Sequence, residues 1–161
     1  EIVGIDLMPE YLDLAREKVE REGMSNVSLE VLPIEEMGQL DGAFDLIVGG
    51  FIPKLVEIDR FVDGCETRTE PGSVLLVHDF VVPTNKVLRC GYRAHWGFVS
   101  TGMKLLGGGW PDVSRELRKI IWASNWQKDL TEALTNAGFG EFYVETQPLQ
   151  VAKVMRAVRT A

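Results

Sequence analysis

Apolar and polar positions change rhythm several times along the chain, and each change marks an element. Ile2 to Ile5 is a short apolar run, β-branched except for Gly4, and Asp6 closes it. That length and composition predict a strand over 2–6. The spacing then turns helical, with Met8, Tyr11, Leu12, Ala15 and Val19 on one stripe. Pro9 suits the first helical position and Gly23 the residue past the end, so the helix is expected over 9–22. Glu17 and Arg21 are expected to pair at i, i+4 on its wet face. Val27 to Val31 alternates apolar and polar, which predicts a second strand towards a sheet edge.

The next run, Phe44 to Val48, predicts a strand over 44–49 that ends at Gly49-Gly50. Two glycines there either let a ligand or another backbone come close or simply make a tight turn. Leu55, Ile58, Phe61, Val62 and Cys65 return to helical spacing. Glu70-Pro71-Gly72-Ser73 is a turn, and Val74 to Val77 opens a strand expected over 74–79. Residues 84–110 break the rhythm: Tyr92, Trp96, Phe98 and Met103 crowd together, and Gly107-Gly108-Gly109 closes the stretch. We read it as a partly helical, aromatic-rich insertion with a hinge-like glycine run. Such a segment is either ordinary core or a lid over a greasy substrate. A helix follows through Ile121, then another capped by Asn125 and stopped by Gly138. Two strands close the chain, expected over 141–147 and 151–158.

Alternating strands and helices build a parallel sheet covered on both faces. The connection at 147–150 is too short for a parallel crossover, so the last strand must run antiparallel. The expected fold is α/β: a Rossmann-like, mostly parallel sheet with helices on both faces and an antiparallel last strand. A length of 161 residues predicts a single domain.

A net charge of −7 argues against a general nucleic-acid or anionic-membrane surface, which needs a basic stripe. Cys65 and Cys90 lack metal or redox spacing and read as reduced core residues of a cytoplasmic protein. No apolar run approaches bilayer-spanning length, and no metal-ligand spacing is present.

Candidate chemistry collects at strand ends, where open α/β sheets bind ligands. Asp6 can accept from both ribose hydroxyls of a nucleotide, or it can simply cap the helix that follows. His78 and Asp79 end a central strand and are the candidate catalytic residues. For His78 a hydrogen-bonded place beneath the insertion is the competing role. Tyr92 and His95 lie on the presumed lid.

Five pieces in order carry a resemblance: Ile2-Val-Gly-Ile-Asp6, Ala15-Arg-Glu-Lys18, Phe44-Asp-Leu-Ile-Val48, Pro71-Gly-Ser73 and Ala137-Gly-Phe139. The chain resembles class I S-adenosylmethionine-dependent methyltransferases. Through Asp79-Phe80, Pro83 and the aromatic insertion it is most similar to the ubiquinone/menaquinone-biosynthesis C-methyltransferases. The resemblance implies S-adenosylmethionine as cofactor, held by Asp6 at the ribose and flanked by Leu7 at the adenine. Ile34 would offer its backbone N–H, with Glu35 beside it, and Gly49 and Gly50 would lie under the methionine part. It implies a small lipophilic, quinone-like acceptor met by Lys54, Tyr92, His95 and Trp96. Peripheral membrane contact through that substrate is expected, with no nucleic-acid partner.

Two positions depart from the family pattern. Pro33 stands where an Asp usually meets the adenine amino group, and Lys54 stands where Arg is usual. The resemblance implies the strand order 27–31, 2–6, a gap, 44–49, 74–79, 151–158, 141–147; the family's central first strand, which fills that gap, and its glycine-rich loop would precede Glu1. Without that strand, 2–6 and 44–49 expose unpaired edges, which invites direct pairing of the two or a swapped homodimer. The 161 residues alone are then expected to bind the cofactor weakly or not at all and to methylate nothing. A non-catalytic methyltransferase-like module and a nicotinamide-dependent oxidoreductase are the alternatives.

Overall fold

The computed structural model describes residues 1–106 and 109–161. In chain order the elements are β1 (Ile2–Asp6), α1 (Pro9–Arg21), β2 (Val27–Val31), β3 (Leu46–Gly50), α2 (Ile58–Thr67) and β4 (Val74–Phe80). Then come α3 (Lys86–Leu106), α4 (Trp110–Ala123), α5 (Trp126–Asn136), β5 (Phe139–Thr146) and β6 (Ala152–Arg159). Single 3-10 turns lie at Ile34–Gln39 and Pro148–Gln150.

β1 and β2 pair in parallel, Ile2 opposite Val27 and Asp6 opposite Val31. The other four strands form a sheet in the order β3-β4-β6-β5. β3 runs parallel to β4, while β6 lies antiparallel between β4 and β5. This is the expected order, antiparallel last strand included. The link from β5 to β6 makes the reversal within a few residues, with Leu149 and Gln150 at φ 63° and 57°. β1 and β3 are not hydrogen-bonded to each other. Direct pairing of the two strands is therefore not adopted, and Ile2, Leu46 and Val48 stay exposed beside the break.

The main core lies where α2 and α5 cover the four-stranded sheet. Phe61, Cys65, Leu75, Val77, Trp126, Leu130, Leu134 and Met155 are buried there. Gly64 sets the approach of α2 to the 3-10 turn at Ile34–Gln39, because a Cβ there would meet Met37 Cγ at 2.5 Å. Arg68 clamps the same junction: its Nε donates to the Gly38 carbonyl at 3.0 Å. A second cluster, Tyr92, Trp96 and Ile121, packs on Phe80, Val82 and Val151 at the carboxyl end of β4.

Several local expectations change. β3 begins at Leu46, because Phe44 N–H is taken by the Arg68 carbonyl at 2.8 Å before the ladder starts. α2 begins at Ile58, which leaves Leu55 outside it and exposed. Arg21 contacts Glu22 rather than Glu17, at 3.4 Å. α5 is not capped by the Asn125 side chain; Ser124 Oγ accepts from Trp126 N–H at 3.2 Å instead. β5 starts at Phe139, whose ring is buried, and bulges at Glu141 with φ 48°. Cys90 is exposed, so only Cys65 is a core thiol. The insertion forms α3 and the start of α4, and Gly107-Gly108 lies outside the described residues.

Candidate active site

The carboxyl end of β1 delivers Asp6. One of its carboxylate oxygens, Oδ1, accepts the Met8 N–H at 2.8 Å as α1 begins. That contact is an Asx turn just ahead of α1, whose N-cap Met8 has no side-chain cap; it fixes the Asp6 side chain, and Oδ2 stays available as an acceptor. Leu7 beside it is exposed. Ile34 opens the 3-10 turn after β2 and packs on the main core. Glu35 lines a cavity of about 260 Å³ between that turn and α2.

At the carboxyl end of β3 the two glycines differ. A Cβ at Gly49 would meet Ile52 Cδ1 at 3.1 Å, whereas one at Gly50 would meet nothing within 4 Å. Gly49 therefore serves packing, and Gly50 faces open space. Phe51 follows at φ 61° and extends the pairing, its N–H donating to the His78 carbonyl at 2.7 Å.

β4 brings His78 and Asp79 to one strand end but not to one face, because successive residues of a strand point to opposite sides. His78 is half-buried, with the edge of Phe51 against its ring at 5.0 Å. Asp79 is fully buried and ion-paired with Lys54, whose side chain is 1% exposed. Asp79 Oδ1 also accepts from Phe80 N–H at 2.7 Å, and Oδ2 has no protein partner. The Lys54 ammonium lies 5.2 Å from the Phe80 ring centre and 5.8 Å from that of Phe51. Burial pulls this lysine down to about 8, and the carboxylate against it works in the opposite direction. Asp79, the candidate base, and Lys54, the candidate acceptor contact, are thus each other's buried counter-charge. The chain pattern showed both residues; nothing in it showed that the loop after β3 folds Lys54 back onto β4.

On α3 the spacing separates the three aromatic candidates. Tyr92 and Trp96, one turn apart, are buried with ring centres 6.2 Å from each other, while His95 is exposed. Trp122 of α4 stacks on Tyr92 at 5.1 Å, a partner the sequence reading missed. Tyr92 Oη and Trp96 Nε1 are buried without hydrogen-bond partners, and burial pushes the Tyr92 hydroxyl up. The cavities along α3 and α4 are lined by cations as well as by Trp122. One of about 400 Å³ is bounded by Arg93, Arg118, Lys119 and Trp122. Among the described residues no group of His, Cys, Asp and Glu could hold a metal ion, and no helix is long and apolar enough to cross a membrane.

A Rossmann-like sheet whose last strand inserts antiparallel, with an acid ending β1 and an open glycine ending β3, defines the class I S-adenosylmethionine-dependent methyltransferase fold. A family profile described as a methyltransferase domain matches residues 1–138, and the chain belongs to that family. It is 33% identical over 169 aligned positions to the ubiquinone/menaquinone biosynthesis C-methyltransferase UbiE of Geobacter sp. (strain M21), covering 91% of this chain and 68% of that protein. Among solved structures it is similar to the N-methyltransferase NodS of Bradyrhizobium japonicum WM9 in complex with S-adenosyl-L-homocysteine. That match has TM-score 0.60 and 16% identity, over 99% of this chain and 66% of that one. A methyltransferase-like protein of Bacillus halodurans C-125 matches at TM-score 0.63 and 15% identity, over 100% of this chain and 84% of that one. The chain thus spans about two thirds of the length of UbiE and of NodS.

Proposed function

We propose that the protein transfers a methyl group from S-adenosylmethionine to a small, lipophilic, quinone-like acceptor. Asp6 carries the reading: one carboxylate oxygen is fixed by Met8 N–H, and the other is left to accept from ribose hydroxyls. The residues present fit the cofactor at this end and at the open face of Gly50. Leu7 would flank the adenine, Ile34 would offer its backbone N–H with Glu35 beside it, and Gly49-Gly50 would underlie the methionine part. When bound, the cofactor supplies a sulfonium methyl for in-line displacement, a reaction helped mainly by alignment and exclusion of water.

On the acceptor side, His78 would take the proton of a ring hydroxyl, so that the adjacent carbon becomes nucleophilic. The Lys54–Asp79 pair holds the loop after β3 against β4 and so places Phe51 beside His78. Tyr92, Trp96 and His95 complete the acceptor side from α3. The similarity to a C-methyltransferase of quinone biosynthesis supports the acceptor class. Free thiols at Cys65 and Cys90 suit a reducing cytoplasm. A homodimer through the free edges of β1 and β3 belongs to the same proposal.

A second reading, a non-catalytic methyltransferase-like module, is favoured by Pro33, which offers the adenine neither a carboxylate nor an N–H. Calorimetry with S-adenosylhomocysteine and with NAD, run in parallel, separates the readings. We expect heat with the first ligand alone, and an affinity at least about tenfold weaker in Asp6→Ala, from loss of a charge-assisted acceptor. Comparable binding of NAD would assign the β1–α1 unit to a nicotinamide cofactor. Binding of neither would favour the non-catalytic module.

A further inference from the structure

Charge in this molecule is segregated, and the net value of −7 conceals it. Residues 84–123 hold seven Lys and Arg against only Asp112 and Glu116, a local charge of +5, so the rest of the chain carries −12. α3 contributes Lys86, Arg89, Arg93 and Lys104 with no acid at all. The structure gathers five of these seven cations into one crevice. The cavity bounded by Arg93, Arg118, Lys119 and Trp122 continues into a second of about 380 Å³ that shares Arg118 and Lys119 and adds Lys104 and Arg115. Asp112 and Glu116 pair with Arg115 and Lys119. Among the described residues Arg93, Lys104 and Arg118 have no carboxylate partner, and Arg118 instead lies 6.0 Å over the Trp122 ring. The cavity between α2 and α5, in contrast, is lined by Glu57, Asp59, Asp129 and Glu132.

A second observation identifies what this charge meets. Val87, Gly91, Ala94 and Phe98 recur at i, i+4, i+7 and i+11 on α3, and all four are exposed. Val87 is 79% and Phe98 80% exposed. The opposite face of the same helix, with Tyr92 and Trp96, is buried in the second cluster. α3 is thus apolar on two sides with cations along the seam. An aliphatic and aromatic face bordered by cations is what an anionic bilayer selects, because lipid tails take the apolar groups and headgroups take the charge. A nucleic-acid duplex uses the cations alone.

We propose that α3 and α4 together form a docking surface for an anionic lipid bilayer. Docking in this orientation sets the carboxyl end of β4, where Phe80 packs on the Tyr92–Trp96 cluster, against the helices nearest the membrane. The proposal goes beyond the methyl-transfer reading and is tested without turnover.

The test is co-sedimentation of the protein with vesicles of three parts phosphatidylcholine to one part phosphatidylglycerol, against pure phosphatidylcholine. Binding is expected only with the anionic vesicles, and it should weaken as salt is raised. R93Q/K104Q/R118Q/K119Q should lower it at least about tenfold, given roughly fivefold for each cation at a lipid surface. R16Q/K18Q/R21Q on α1 should leave it unchanged. Phe98→Ser should reduce binding while keeping the salt dependence, and alkylation of the exposed Cys90 should slow when anionic vesicles are present. All these positions but the half-buried Arg16 are exposed, and circular dichroism checks that each variant is folded. Equal binding to both vesicle types would overturn the proposal, as would full binding by the quadruple variant. Tighter binding of a DNA or RNA duplex than of anionic vesicles at the same salt would assign the surface to nucleic acid instead.

Discussion

Lys54 and Asp79 form the most demanding contact in the molecule, because each is a buried charge whose main compensation is the other. Removing one partner strands the other, at a cost of about 3–5 kcal/mol. Asp79→Asn and Lys54→Met should each lower urea stability by that order. Lys54→Met/Asp79→Leu should lose clearly less than the sum of the two. Additive losses would show that the charges are not coupled. His78 is separable from this pair because it lies on the other side of β4. In a form active on a hydroquinone acceptor, His78→Gln should therefore abolish methyl transfer while leaving S-adenosylhomocysteine binding intact; full turnover in that variant would remove His78 from the base role. The two thiols also divide. At pH 8 a thiol reagent should modify Cys90 at once and Cys65 only after unfolding. Burial pushes Cys65 up to about 12. Above the ordinary thiol value the unfolded chain releases a proton that the folded chain keeps, so stability falls as pH rises from about 9 to 12. Cys65→Ala should show a shallower loss over that window.

Among the elements, α2 depends most on a missing side chain. Alanine is the better helix former by roughly 1 kcal/mol, yet a Cβ at Gly64 would press on Met37 Cγ at 2.5 Å, with Gly38 N at 3.4 Å. Met37 is buried and has little room to yield. Overpacking of this kind costs about 1–3 kcal/mol, so Gly64→Ala should melt below the parent. A higher melting temperature would mean that Met37 finds another rotamer at no cost. At the other end of the sheet, Trp126 ties α5 to β4 through its Nε1–H to the Phe80 carbonyl at 3.0 Å. The same strand end that holds the candidate site is thereby anchored from the helix face.

For the whole molecule, the break between β1 and β3 divides the backbone ladder in two. β4 and β6 are each paired on both sides, whereas β1 and β2 pair only with each other. Exchange protection follows how many bonds must open together. Amides of Leu75–Val77 and Met155–Ala157 should therefore exchange by global unfolding, and those of Val3–Ile5 much faster. If Val3–Ile5 were as protected as Leu75–Val77, a strand from another copy would be covering the edge of β1 in solution. Sedimentation measured on the same sample would then report a dimer.

Local patterns carried far in this chain. The six strands and the reversed β6 were legible from runs such as Ile2–Asp6 and Val74–Val77 and from the short link at 147–150, because strand period and connection length are local properties. Asp6 was legible for the same reason, since a strand that runs straight into a helix puts its last residue at the sheet's carboxyl edge. Contacts between distant segments were not. The folding of Lys54 onto Asp79, the opposite facing of His78 and Asp79, the stacking of Trp122 on Tyr92 and the exposure of Cys90 each depend on how one element lies against another. The charge of 84–123 could be counted from the sequence, but only the antiparallel packing of α3 on α4 makes five of those cations one crevice. Periodicity determines which side of an element is apolar, whereas tertiary packing decides what that side meets.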